Sequence, residues 1–140
     1  MTEGATTRIA AVPKPIRLLA VDDDPVILNL LKVNFELDGF DVLTAADGQE
    51  ALDTAQAEKP DVVLLDIMMP KLSGLEVTKA LKADTATKGI PIMLLSAKAQ
   101  EADVDAGMKI GADAYVTKPF DPIDLVQRVH DLVRSHRRSH

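Results

Sequence analysis

Asp61-Val62-Val63-Leu64-Leu65-Asp66-Ile67-Met68-Met69-Pro70 decides the fold. Four consecutive apolar residues, two of them β-branched, form a run too short for a helix and without the polar alternation of a half-exposed strand. Such a run reads as a strand buried on both faces, as in a parallel sheet covered by helices. It ends abruptly in a carboxylate, and Pro70 then keeps the chain in a loop. Working outward, Ile16-Arg17-Leu18-Leu19-Ala20-Val21 ends at Asp22-Asp23. Ile90-Pro91-Ile92-Met93-Leu94-Leu95 ends at Ser96, and Ala114-Tyr115-Val116-Thr117 ends at Lys118.

Between these runs lie amphipathic segments, so the chain alternates strand and helix five times. Strands are expected at 16–22, 41–45, 61–66, 90–96 and 113–118. The second, Asp41-Val42-Leu43-Thr44-Ala45, is the least apolar and suits a sheet edge. Helix one begins at Pro25 after an acidic cap at Asp24, carries Val26, Leu30, Val33 and Leu37 at helical spacing, and stops at Asp38-Gly39. Further helices are expected at 48–58, 74–83, 100–110 and 122–134. The last has Leu125, Val126, Val129, Leu132 and Val133 on one face. The fourth contains Gly107, which costs about 1 kcal/mol relative to alanine inside a helix, and is expected to be the mobile element. Five parallel strands with right-handed crossovers make an α/β doubly wound (βα)5 three-layer sandwich. The simplest strand order is 2-1-3-4-5.

That order puts strands one and three side by side at the topological switch point, where open α/β sheets bind ligands beyond the carboxyl ends of their strands. Asp22, Asp23 and Asp66 line this crevice. Three carboxylates in one place repel one another unless a proton or a cation intervenes, and a hard cation is the favoured reading. Oxygen donors without His or Cys select magnesium, manganese or calcium over zinc or copper. Magnesium keeps several waters and suits a site of few carboxylates that also binds a phosphoryl oxygen. Lys118 and Ser96 supply donors for such an oxygen, and a carboxylate beside a metal can serve as nucleophile and form an aspartyl phosphate. The plainer alternatives are that Asp22 and Asp23 open a loop, Asp24 caps a helix, Ser96 is a turn hydroxyl and Lys118 is a solvated lysine. Met68 and Met69 suit either core packing or contact with a partner.

Composition narrows the function classes. The chain has 140 residues, of which 46% are hydrophobic and 27% charged, a size that holds one domain. It contains no cysteine, which excludes disulfides, thiolate metal sites and a cysteine nucleophile. The net charge of −6 argues against nucleic-acid binding by the domain. No apolar stretch approaches the roughly 20 residues needed to span a bilayer, and the start of the chain lacks the apolar core of a secretory signal, so the cytoplasm is the expected compartment. The expected organisation is a disordered leader at 1–15, a folded domain at 16–135 and a basic tail at 136–140. The basic residues that close the chain are read as a solvated helix end favoured by the helix dipole, with nucleic-acid contact or a linker stub as alternatives.

Taken together, Val21-Asp22-Asp23-Asp24, Leu65-Asp66-Ile67-Met68-Met69-Pro70, Leu95-Ser96-Ala97 and Gly111-Ala112-Asp113-Ala114-Tyr115-Val116-Thr117-Lys118-Pro119-Phe120 resemble, in order and spacing, the receiver domain of two-component response regulators. The resemblance covers roughly residues 16 to 134 and is to the single-domain, chemotaxis-regulator-like type, with a flavodoxin-like fold. It implies that Asp66 accepts a phosphoryl group from a phosphohistidine on a sensor kinase or phosphotransfer protein. It implies too that Asp22, Asp23, Asp66 and the backbone carbonyl of Met68 organise magnesium, with manganese as a substitute. Ser96 and Lys118 would bind the new group, Tyr115 would change rotamer with the state of the switch, and the Lys118–Pro119 bond would be cis. The surface of helix four, strand five and helix five would then change its affinity for a downstream protein, and dimerisation through that face is compatible with the letters. The positions that influence hydrolysis in the family are Met68 and Lys98; neither carries a carboxylate or amide to position water, so the phosphoryl group is expected to be long-lived.

Two other classes fit less well. A flavodoxin-like cofactor binder would cradle phosphate after strand one, where this chain places Asp22-Asp23-Asp24. A phosphatase using a covalent aspartyl phosphate would carry a second Asp two residues on, where this chain has Met68, so turnover of an external substrate is not expected. A degenerate receiver that only binds is the remaining alternative. Whether the chain stands alone or belongs to a longer regulator is left open by the letters.

Overall fold

The computed structural model describes residues 14–98 and 100–139. The leader expected at 1–15 therefore falls almost entirely outside the described residues. The strands are β1 (Arg17–Val21), β2 (Asp41–Ala45), β3 (Val62–Asp66), β4 (Ile92–Ser96) and β5 (Ala114–Thr117). They alternate with α1 (Pro25–Leu37), α2 (Gly48–Glu58), α3 (Gly74–Ala83), α4 (Glu101–Ile110) and α5 (Pro122–Ser139). All pairings are parallel and the sheet order is β2-β1-β3-β4-β5, the order expected from the crossover rule.

Side chains alternate across each strand and so feed two cores. Leu19, Val21, Val63, Leu65, Ile92 and Leu94 pack with Ala51 and Ala55 of α2 and Val77 and Leu81 of α3. Leu18, Ala20, Val62, Leu64, Met93 and Leu95 meet Leu31 and Phe35 of α1 and Leu125, Val126, Val129 and Val133 of α5. Every residue of β3 and β4 is buried, which explains their unbroken apolar runs. At the far edge from the switch point, Lys82 of α3 donates to the carbonyls of Lys88 and Ile90 and to Asp113 Oδ2, which also accepts the Ile92 amide at 2.8 Å. This pins α3 to the start of β4 and β5.

The structure sharpens two of these readings. The α1 face with Val26, Leu30, Val33 and Leu37 points to solvent, whereas Leu31 and Phe35 are buried. The helix is apolar on nearly all sides, so spacing alone offered two stripes, and the one that meets β1 won. The helix expected to end at 134 instead continues to Ser139, so His136, Arg137 and Arg138 form its last turn, the helix end expected of these basic residues. Arg, Ser and His extend a helix without adding to its apolar stripe, so periodicity could not mark its end. Met68 and Met69 part company: Met69 is in the core and Met68 is exposed.

Leu31→Ala is expected to cost about 2–5 kcal/mol, the range for truncating a packed core leucine. Leu37→Ala, 82% exposed, should change stability by no more than about 0.5 kcal/mol. Urea denaturation of the two variants checks which face of α1 is the core face.

Candidate phosphoacceptor site

Asp22 follows β1 and Asp66 ends β3, neighbours in the sheet, and both are buried, with 1% and 4% of their surfaces exposed. Lys118, just beyond β5, reaches over β4 and places Nζ 3.1 Å from Asp22 Oδ2 and 3.3 Å from Asp66 Oδ1. The other Asp22 oxygen, Oδ1, accepts the Asp24 amide at 2.9 Å. Asp24 itself caps α1 through the Val26 amide, the plain role that its position suggested. Asp23 is exposed, yet the three aspartates each bring a carboxylate oxygen within 4.8 Å of the others.

Backbone bonds hold the strand ends in place. The Ile67 amide donates to Leu95 and the Lys118 amide to the Ser96 carbonyl, so the chain stays in register just past the sheet on both sides of β4. The Lys118–Pro119 bond is cis. Gly74 closes the loop after β3: its amide donates to the Ile67 carbonyl at 2.8 Å. A Cβ on Gly74 would lie 2.4 Å from the Asp66 carbonyl oxygen and 2.7 Å from the Ile67 Cα, so only glycine lets α3 begin this close to the acid. Ser73 and Glu76 complete a capping box that fixes the start of α3.

The electrostatics follow from the geometry. Two unit charges 4.8 Å apart repel by roughly 3–4 kcal/mol at an effective dielectric of about 20. Burial raises the Asp66 pKa above its ordinary value, the Asp22 charge raises it further, and Lys118 opposes both without cancelling them. Burial pulls the Lys118 pKa down, but its hydrogen bonds and attraction to Asp22 and Asp66 outweigh this and hold it above its ordinary value. Three carboxylates against one ammonium leave an excess of negative charge, and the donor set is all oxygen. Both features fit a hard divalent cation of the magnesium type.

Ser96, fully buried, accepts the Lys98 amide on Oγ at 3.0 Å. Tyr115 Oη donates to the Lys98 carbonyl at 2.8 Å. One residue's backbone thus holds both hydroxyls.

Residues 18–130 match the response regulator receiver domain. The chain belongs to that family. It is 47% identical over 118 residues to the alkaline phosphatase synthesis transcriptional regulatory protein PhoP of Bacillus subtilis, covering 84% of this chain and 48% of that protein. It is 43% identical over 118 residues to the DNA-binding response regulator MtrA of Mycolicibacterium smegmatis, covering 84% of this chain and 50% of MtrA. The chain therefore spans about half the length of these curated relatives. Among solved structures it is similar to chemotaxis response regulator CheY4 of Vibrio cholerae, with TM-score 0.81, 33% identity and coverage of 84% of this chain and 98% of that one. The BeF3-activated DrrB receiver domain aligns with TM-score 0.76 and 32% identity, covering 86% of this chain and 98% of that receiver-domain chain.

Of the residues singled out in the receiver's sequence, Asp22, Asp23, Asp66 and Lys118 come together, while Ser96 and Tyr115 meet through Lys98. Met68 lies two residues beyond Asp66, and its backbone lowers the Asp66 pKa, the weakest of the influences on that carboxyl. Sequence reasoning missed Gly74, whose signal was a glycine directly after a cap serine, and the backbone of Lys98, which no side-chain pattern announces.

Because the folded state raises the Asp66 pKa, its proton binds more tightly folded than unfolded. Its contribution to stability is therefore greatest below the ordinary value of 3.8 and is lost as pH rises through the raised value. In chelator at neutral pH, Asp66→Asn is expected to melt several degrees above the wild type. The gap should close toward about pH 4 as the wild-type acid protonates. Thermal melts across that range measure it.

Proposed function

We propose that Asp66 is the phosphoacceptor of a signalling switch that acts in the cytoplasm. The observation that carries this is a buried aspartate at the exit of β3, held between a second buried aspartate and the Nζ of Lys118. An Asp66 carboxylate oxygen attacks the phosphorus of a phosphohistidine; the O–P bond forms, the P–N bond breaks, and the electron pair returns to the imidazole nitrogen, which takes up a proton. Asp22, Asp23, Asp66 and the Met68 carbonyl would hold magnesium, or manganese in its place. When bound, that ion neutralises the carboxylates and the charge building on the transferred group. Lys118 turns from Asp66 to a phosphoryl oxygen, and Ser96 donates its hydroxyl proton to another. The aspartyl phosphate adds charge and acceptor oxygens, drawing Ser96 away from the Lys98 amide. Tyr115 responds through the same residue, and the face made by α4, β5 and α5 shifts its population toward a form that a downstream protein, or a second copy, reads. Weak hydrolysis of its own aspartyl phosphate would be the only turnover, so the domain is a switch and not an enzyme acting on outside substrates.

The phosphodonor is a sensor kinase or phosphotransfer protein, and the solvent-facing side of α1 supports a docking place for it. Val26, Leu30 and Leu37 are exposed there, and the exposed Ile123 of α5 lines a hollow together with Leu37. A hollow of about 400 Å³, lined by Ile27, Leu30, Ala97, Lys118, Pro119 and Phe120, runs from this apolar strip to the lysine that holds Asp66. An apolar helix face carrying the phosphohistidine fits that continuity. Among the described residues no helix is long and apolar enough to cross a membrane.

Intact-mass spectrometry after incubation with a small phosphodonor and magnesium should show one added phosphoryl group, absent from Asp66→Asn and from a chelated sample. The label should decay over minutes to hours; no gain in the wild type even from a phosphohistidine protein would sink the proposal. Leu30→Asp should slow transfer from a phosphohistidine protein by about tenfold or more while labelling from the small donor stays at the wild-type rate, as expected for lost docking contacts of hot-spot size. Equal slowing with both donors would remove α1 from the docking surface.

A further inference from the structure

Gly107 sits inside α4 without a backbone reason to be glycine. Its backbone is helical, whereas among the described residues the glycines with positive φ are Gly39 and Gly111. Alanine is the better helix former at such a position. The structure supplies another reason. A Cβ at 107 would lie 2.9 Å from Leu94 Cδ1 and 3.2 and 3.3 Å from Tyr115 Cδ2 and Cε2. Gly107 is also the one buried residue of α4. The helix thus rests on the Tyr115 ring and on Leu94 through a surface that has no side chain.

The two neighbours differ in what they can yield. Leu94 is fully buried in the sheet between β3 and β5 and has little freedom. Tyr115 is only partly buried on the edge strand β5 and has a way out to solvent. Its inward place is held at one end by the Lys98 carbonyl and along one flank by the bare Gly107. The N-cap of α4, Gln100, makes no side-chain capping bond, so the helix is weakly tied at the end nearest Lys98. A methyl group at 107 would act on the least constrained contact, which is the Tyr115 ring.

We propose that Gly107 is a positioning residue for Tyr115: the absence of its side chain makes the socket in which the tyrosine reaches the Lys98 carbonyl. This rests on the switch proposed above and names the α4 residue that sets how strongly Tyr115 is coupled to the Ser96–Lys98 segment. Gly107 touches neither the carboxylates nor the phosphoryl group. It acts through the ring alone.

The chain has one tyrosine and no tryptophan, so its intrinsic fluorescence reports Tyr115. Acrylamide quenching of the unphosphorylated, full chain compares the wild type with Gly107→Ala. Overpacking of this size should shift the inward-to-outward ratio by about fivefold or more, read as easier quenching of the ring. The far-UV spectrum should keep its helix content, and labelling of Asp66 by a small phosphodonor should match the wild type. If Gly107→Ala does not fold, Leu94→Val combined with Gly107→Ala removes the nearer clash, keeps the ring contact and should still expose the tyrosine. Wild-type quenching in the folded variant overturns the proposal. A wild type that quenches as described but takes up no phosphoryl group overturns the switch reading and leaves the packing role standing.

Discussion

Two buried aspartates and one lysine meeting at the carboxyl edge of the sheet set the terms for the rest of the molecule. Asp22 and Asp66 cannot both be buried and ionised without help, since their repulsion and desolvation act in the same direction. Lys118 offsets part of this, but only because β5 ends two strands away from β3 and a long side chain can span the top of β4. The sheet order is therefore more than an arrangement for burying apolar strands. It brings the ends of three non-consecutive segments within about one hydrogen bond of each other. The backbone bonds past the sheet, from Ile67 to Leu95 and from Lys118 to Ser96, keep those ends from drifting apart under the charge they carry.

The elements around this cluster are tied down unequally. On the acceptor side, α3 starts with a complete capping box, and Gly74 brings its first turn against the Asp66 carbonyl. At its other end Lys82 and Asp113 fasten the same helix to β4 and β5. On the responding side, α4 has a cap residue without a capping bond and a single buried residue, Gly107. Local stability falls where buried apolar contacts are few, so α4 is held less firmly than α3. A group bound at Asp66 would meet a rigid floor and a light wall.

Much of this was legible in the sequence because strands buried on both faces announce themselves as apolar runs, and the polar residue ending each run is at the sheet edge by construction. Asp22, Asp66, Ser96 and Lys118 could be placed without coordinates for that reason. The α1 core face could not. Val26, Leu30, Val33 and Leu37 keep helical spacing as well as Leu31 and Phe35 do, and only the sheet decides which stripe it covers. The end of α5 was hidden for the opposite reason, as its last turn is polar and leaves no periodic trace. The mid-helix Gly107 reads as a defect by propensity. Its meaning depends on Tyr115, eight residues later in the chain, lying across it in space.

The Lys98 backbone explains how a small change at Ser96 would be felt at Tyr115 on the proposed reading. A serine hydroxyl has one proton to donate and two acceptor sites, and in the structure one acceptor site is taken by the Lys98 amide. Donating to a phosphoryl oxygen requires the hydroxyl to turn toward Asp66, and turning weakens that amide bond because its direction is fixed by the loop. The freed Lys98 peptide is the same residue whose carbonyl accepts the Tyr115 hydroxyl. Neither bond is strong by itself, each contributing about 1 kcal/mol net. On that reading, sharing one residue would make them act together, giving the segment two arrangements with no stable halfway point. A two-state element of this kind needs only a modest difference in affinity for the new charge to change which arrangement prevails.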